Sequence, residues 1–254
     1  MRTIKEILNL SFKLATTSFK AKYTGLKLGV WVAVMNPLLL MFAVTFVFTR
    51  VVRLDIENFP LFALAGIFPW MFLSSALSEA VHAIMNNQGV LRQFRIAALA
   101  IPASVGMANF LVFLIGWIII YPIFAVHNSN VLPLFPVFAL MLVLLFLFVS
   151  GLGFLFSALN VFWRDLGQML GVWLMLWFWI TPVFYPLEMV PDRYMWVCLL
   201  NPATYFIVAF REILFRARVP DLNILSICAV LAAASLLLGV RVFTSLEREF
   251  LRRL

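Results

Sequence analysis

VLPLFPVFALMLVLLFLFVSGLGFLFSALNVF, residues 131–162, carries no Asp, Glu, Lys or Arg from end to end. A helix needs about 20 apolar residues to cross a hydrocarbon core, and this stretch exceeds that. It is continuously apolar, not alternating, so it reads as a membrane helix and not a barrel strand. Five more runs flank it, at 30–49, 59–85, 99–126, 168–186 and 222–243. Hydrophobic residues are 65% of the chain and charged ones 12%, against about 45–50% and ~25% in soluble domains. In lipid the backbone must bond to itself. The expectation is an all-α integral membrane protein of six transmembrane helices in a single domain, 1–254.

The net charge is +8, and its placement sets the topology. Arg2, Lys5, Lys13, Lys20, Lys22 and Lys27 precede the first run; Arg241, Arg248, Arg252 and Arg253 follow the last. With six spans, Arg92, Arg95 and Arg164 fall on that same side. On the other side Arg50, Arg53, Arg193, Arg211, Arg216 and Arg218 are balanced by Asp55, Glu57, Glu188, Asp192, Glu212 and Asp221. The positive-inside rule then puts both termini in the cytoplasm. Topology thus accounts for the basic pI, and no nucleic acid is needed to explain it. Cys198 and Cys228 lie at different expected depths, which argues against a disulfide. Two distant histidines offer no metal site. No cleavable signal peptide is read.

Residues 3–22 divide at 100° per residue into an apolar side with Ile4, Ile7, Leu8, Phe12 and Phe19 and a polar side with Lys5, Glu6, Asn9, Lys13 and Lys20. That pattern fits an amphipathic helix lying on the membrane within segment 1–28. Helices 1–5 then occupy 30–186. Segment 187–221 is long and proline-punctuated, yet 194–200 and 203–210 are apolar. Two short pieces broken at Asn201-Pro202 read as a re-entrant hairpin, tolerated only against protein or a water-filled cavity. The alternative is a cap on the bundle. Helix 6 at 222–243 and a tail at 244–254 complete the chain.

Glu79 is the acidic residue well inside a run, with His82 at i+3 on the same face. A titratable group in hydrocarbon should face the bundle interior or a cavity. The pair reads either as a structural contact or as a polar element of a path; the structural reading is preferred. Aromatics cluster at Phe68, Trp70 and Phe72, and at Trp173, Trp177, Phe178 and Trp179. They serve packing and interfacial belts, or line a path for sugars. Ser150-Gly151-Leu152-Gly153 reads as close helix packing. There is no phosphate-binding loop, nucleophile elbow or His-Glu-x-x-His motif.

Four blocks, in order, resemble the membrane subunit of ABC-2-type exporters. They are Lys22-Tyr23-Thr24-Gly25-Leu26-Lys27-Leu28-Gly29-Val30-Trp31 with Asn36-Pro37-Leu38; Gly66-Ile67-Phe68-Pro69-Trp70-Met71-Phe72; Ser157-Ala158-Leu159-Asn160-Val161-Phe162-Trp163-Arg164-Asp165-Leu166; and Thr181-Pro182-Val183-Phe184-Tyr185-Pro186 with Val190-Pro191 and Asn201-Pro202. The third looks most like polysaccharide exporters that move O antigen, with teichoic-acid exporters close and capsule exporters further off. The resemblance implies a homodimer in the bacterial inner membrane with two copies of a separate ABC ATPase. The partner would bind ATP and Mg, and this chain would hold no cofactor and no metal. The cargo implied is an undecaprenyl-diphosphate-linked polysaccharide.

By the same resemblance, the helix 3–22 and Asn87, Gln88, Leu91, Arg92, Phe94, Arg95, Arg164 and Asp165 would meet the ATPase. Lys22, Tyr23, Lys27, Trp31, Phe68, Trp70, Phe72, Glu79, Trp177, Phe184, Tyr185 and Tyr194 would belong to the path and its gate, with 188–215 as outer gate helices. Lys22, Lys27 and Arg92 would attract the diphosphate, unless they serve topology alone. Arg95-Ile96-Ala97-Ala98 departs from the Phe-Pro-basic turn usual in the family at that loop. Competing classes are an intramembrane glycan or lipid transferase, for which only Glu79 and His82 are on offer, and an ion-coupled transporter, which usually carries more intramembrane charge.

Overall fold

The computed structural model describes residues 9–17, 31–51, 53, 56–93 and 97–253. Among them every regular element is helical. In chain order these are α1 (9–17), α2 (Trp31–Phe46), α3 (Phe59–Ala80), α4 (Ala83–Asn86), α5 (Gln88–Gln93), α6 (Ala100–His127), α7 (Phe135–Phe162), α8 (Leu166–Ile180), α9 (Asp192–Leu200), α10 (Pro202–Leu214) and α11 (Leu222–Arg253). Of the amphipathic segment, 9–17 is helical and the rest lies outside the described residues.

Four described stretches are long and apolar enough to cross a membrane: Phe59–Ala80, Ala100–His127, Ser129–Phe162 and Leu222–Glu247. The pair α9 and α10, bent by 96°, makes a fifth if taken as one span. The bend falls at Asn201-Pro202, where the sequence places it. Leu38–Val51 and Leu166–Ile180 are shorter apolar helices. The expected run 59–85 breaks at Val81-His82, after which α4 restarts. The fifth run ends at Ile180, because Pro182 and Pro186 admit no further helix. The last continues past 243 as one helix to Arg253.

Sequence rules account for the starts. Pro60 lies in the first turn of α3 and Pro136 in that of α7, where a missing N–H costs nothing. Asn128 caps the turn before α7 by accepting from the Asn130 N–H at 3.1 Å.

α3 is the central helix. Its buried side chains run from Phe59 to Ala80, and α2, α6, α7 and α10 pack around it. The most extensive pairing is α7 with α11. A Cβ on Gly151 would stand 2.3 Å from the Ser235 carbonyl carbon, and one on Gly239 2.0 Å from the Gly151 oxygen. The two backbones touch, as small residues allow between membrane helices. Ser235 adds a hydrogen bond to the Phe148 carbonyl at 2.8 Å. The larger apolar core fills the bundle. A second cluster gathers Ala83, Ile84, Ala98, Ile101, Phe154, Ala158, Val161 and Phe243 at the α4 end.

Candidate gate and coupling sites

The two ends of α3 organise two different sites. At its N-terminal end, segment 181–186 leaves α8 and passes beside Gly66, and the α9–α10 hairpin closes over it. Asn201, at the bend, ties three elements together. Its Oδ1 accepts from the Trp177 Nε1–H at 2.6 Å and from the Ala203 N–H at 3.0 Å. Its Nδ2–H donates to Thr181 Oγ1 at 2.8 Å, and the Thr181 hydroxyl in turn donates to the Trp177 carbonyl at 2.7 Å. Trp70 of α3 meets Trp177 edge-on at 5.7 Å.

Arg211 stands beside this knot. It is the one charged side chain that is buried among the described residues. Its guanidinium donates to the carbonyls of Val183 and Tyr185 and lies 3.7 Å from the centre of the Phe62 ring. Gly66 leaves the room: a Cβ there would meet the Val183 oxygen at 2.8 Å and Arg211 Nη2 at 3.0 Å. Nearer solvent, Arg216 bonds Glu212 at 2.8 Å and Glu188 at 2.7 Å. The Arg216 guanidinium holds the Glu188 carboxyl below its usual range.

The sequence counts Arg211 among the loop charges and within the 188–215 gate segment, and has Gly66 inside a family block, but singles out neither as a site residue. The available signal for Arg211 is its spacing, since Thr204, Ile207, Arg211 and Leu214 share the buried face of α10.

At the other end of α3 the helix breaks, and His82 sits under the start of α8. A Cβ on Gly167 would lie 2.1 Å from His82 Cε1, so the glycine exists to accept that ring. The Gly167 N–H donates to Asn160 Oδ1 at 3.0 Å. His82, at the α3–α4 break, thus packs against the start of α8, just after the Arg164–Asp165 turn. Gly167→Ala is expected to displace the ring and lower the melting midpoint, as overpacking of about 1–3 kcal/mol does. His82→Ala in the same chain should restore it. A double variant that melts no higher than Gly167→Ala alone refutes the contact.

The remaining residues read from sequence fall as follows. Asn87 Nδ2–H donates to the Ala83 carbonyl at 2.9 Å. Gln88 and Arg92 are exposed on α5, Leu91 leans on the second cluster, and Arg164 and Asp165 are exposed. Phe68, Trp70 and Phe72 are buried in the core, with Phe68 against Phe113 and Trp117, and Phe72 stacked on Phe113 at 4.6 Å. Phe184 is buried against Phe48 and Phe178, and the Tyr185 hydroxyl reaches the carbonyls of Trp179 and Ile180 at 3.2 Å. Tyr194 is exposed beneath Arg193. Lys22, Tyr23, Lys27, Phe94 and Arg95 lie outside the described residues, as does the Trp31 side chain.

Glu79 accepts from Asn109 Nδ2–H at 2.8 Å. It is exposed, and so are Ser75 and Ser78, one turn apart on a helix with no other exposed residue. This polar stripe within a spanning helix needs a polar surrounding. α8 buries only Leu170 and Leu174 against the rest of the chain, so most of its surface is free for lipid or protein.

Known proteins are similar to this sequence over nearly its whole length. It is 29% identical to an O-antigen export system permease protein, RfbA, of Myxococcus xanthus, over 98% of this chain and 97% of that one. A protein of the same name from Klebsiella pneumoniae is 27% identical over 96% and 94%. The polysialic acid transport protein KpsM of Escherichia coli is more distant, at 20% over 91% of each. The profile of the ABC-2 type transporter family matches residues 11–215, spanning the broken α3, the hairpin and its Asn201 knot, and the chain belongs to that family of membrane transport proteins.

Proposed function

We propose that this chain is the permease subunit of an ABC exporter that carries undecaprenyl-diphosphate-linked polysaccharide of the O-antigen kind across the bacterial inner membrane. The observation that carries the reading is the end-to-end similarity to O-antigen export permeases. The bent hairpin, tied by Asn201 to the end of α8, supports a gate in that position. A diphosphate and many hydroxyls cannot cross hydrocarbon unaided. Two copies of the chain would each supply half of a polar-tolerant corridor. The largely free face of α8 and the exposed stripe Ser75, Ser78 and Glu79 support such a wall.

In this reading the chain has six spans, with α2, α8 and the π turn at Val47–Val51 taking part in the short ones. Both termini and α4–α5 face the cytoplasm. Two separate ATPase subunits bind ATP and dock on Asn87, Gln88, Leu91, Arg92, Phe94, Arg95, Arg164 and Asp165. Their closure on ATP shifts a two-state helix arrangement, and His82 against Gly167 links the two docking loops. Trp177, Phe184, Tyr185 and Tyr194 belong to the outer gate; Lys22 and Lys27 meet the diphosphate at the inner face.

Deletion of the chain tests this. Cells lacking it should accumulate lipid-linked glycan on the cytoplasmic leaflet, and the purified chain should bring an ATPase with it. Surface glycan at normal level in the deletion strain, or transport by the lone chain on an ion gradient, refutes it.

A further inference from the structure

Arg211 presents a physical puzzle that the gate reading does not resolve. A guanidinium taken out of water is costly, and an apolar side chain of similar size is often at least as stable. Here the charge has no ion pair among the described residues, and Nε lacks a partner. Its acceptors are main-chain carbonyls, Val183 and Tyr185. Those carbonyls lie in the stretch that Pro182 and Pro186 keep out of helix, so they need donors from elsewhere. The bonds are directional and no carboxylate locks them.

The alternative acceptors are already close. A small cavity of about 40 Å³ is lined by Arg211 together with Glu188, Glu212, Arg216 and Phe62. Both carboxylates are engaged by Arg216 at 2.7 and 2.8 Å. A carboxylate offers more acceptor sites than one guanidinium uses. Arg211 therefore has a second place to bond if segment 181–186 moves away.

We infer that Arg211 is the positioning residue of the outer end of the path: its two N–H bonds pin segment 181–186 beneath the α9–α10 hairpin in the closed form, and are exchanged for Glu188 and Glu212 when the segment is released. This rests on the outer-gate reading above. Gly66 belongs to the same device, because only its missing side chain lets the guanidinium reach Val183. Lysine cannot replace it fully, since a single ammonium does not match the planar fork that spans two carbonyls.

Cys198 reports the state of the latch. It is buried on α9 with Sγ 3.8 Å from the Ile180 carbonyl, at the seam that would part. In the full transporter with Cys228→Ser, labelling of Cys198 by a membrane-impermeant maleimide added outside is slow at rest. Arg211→Met should raise that rate about tenfold, the loss expected when charge-assisted bonds are removed, and Arg211→Lys should fall between. Basal ATP hydrolysis should stay within about twofold, since the substitution lies at the opposite end of α3 from the coupling loops.

Gly66→Ala separates the latch from mere folding, because it forces Arg211 and Val183 apart while keeping the charge; it should label as fast as Arg211→Met. ATP turnover in the Cys228→Ser protein should also speed labelling. The latch is refuted if labelling is unchanged in folded Gly66→Ala and by turnover. Faster labelling with normal export would instead keep the latch and sink the gate reading.

Discussion

Gly239→Ala is expected to leave little folded protein in the membrane. The added Cβ would stand 2.0 Å from the Gly151 oxygen and 2.8 Å from its carbonyl carbon. These are backbone atoms, which cannot turn aside as a side-chain end can. Relief requires α7 and α11 to separate, and with them the largest helix contact among the described residues. In lipid the hydrophobic effect does not hold helices together, so close van der Waals packing carries the association. Overpacking of this kind costs about 1–3 kcal/mol even where the surroundings can adjust. Gly151→Ala should be equally damaging, its Cβ falling 2.3 Å from Ser235 and 2.4 Å from Leu236 backbone atoms.

A graded series makes the claim quantitative. Gly116→Ala meets the Phe68 ring at 2.2 Å, a side chain itself wedged by Phe113 and Trp117, and should rank next. Gly153→Ala, 3.1 Å from Ala80 Cβ, should be mild. Gly89→Ala and Gly171→Ala meet nothing within 4 Å and serve as neutral references. Melting midpoints of the detergent-extracted variants should follow that order. A Gly239→Ala protein that melts with Gly171→Ala refutes the α7–α11 contact.

The same glycines show where sequence reading reaches and where it stops. Ser150-Gly151-Leu152-Gly153 announces close packing, but no pattern names α11 as the partner. Composition and run length make the membrane bundle legible, and Asn201-Pro202 announces the bend. The break at Val81-His82 is silent, because Ala80-Val81-His82-Ala83 holds neither proline nor glycine, and only the fold shows that the His82 ring there fills the space over Gly167. Phe68 and Phe72 belong to one cluster of aromatics by eye, yet interior and lining aromatics share one composition. Arg211 is the least legible of these residues. A charge count assigns it to a loop, and only the helical spacing of α10 turns it inward.

Asn201→Leu is expected to release the hairpin while leaving the rest of the bundle folded. Leucine has about the right volume, so packing changes little. What it removes is the acceptor for two donors, the half-buried Trp177 indole N–H and the buried Ala203 N–H. Each orphaned donor costs about 1–3 kcal/mol. Thr181 is spared, because its hydroxyl proton already goes to the Trp177 carbonyl. Asn201→Asp keeps both acceptances and places a negative charge at the start of α10, where the helix dipole favours it; it loses only the Nδ2 donor, which a turn of the Thr181 hydroxyl can replace. Asn201→Ser can cap Ala203 but is too short to reach the indole, so it should fall between. The expected order of damage is Leu, then Ser, then Asp. Hydrogen exchange is the suitable measure, since it resolves segments: peptides from 192–214 should exchange faster in Asn201→Leu while those from α7 and α11 keep their protection. If the hairpin is the outer gate proposed above, export should fall in the same order, because the hairpin is then no longer tied to α8. Uniform loss of protection along the chain would make Asn201 a general fold determinant, and equal damage by Asp and Leu would dissolve the indole bond as the cause.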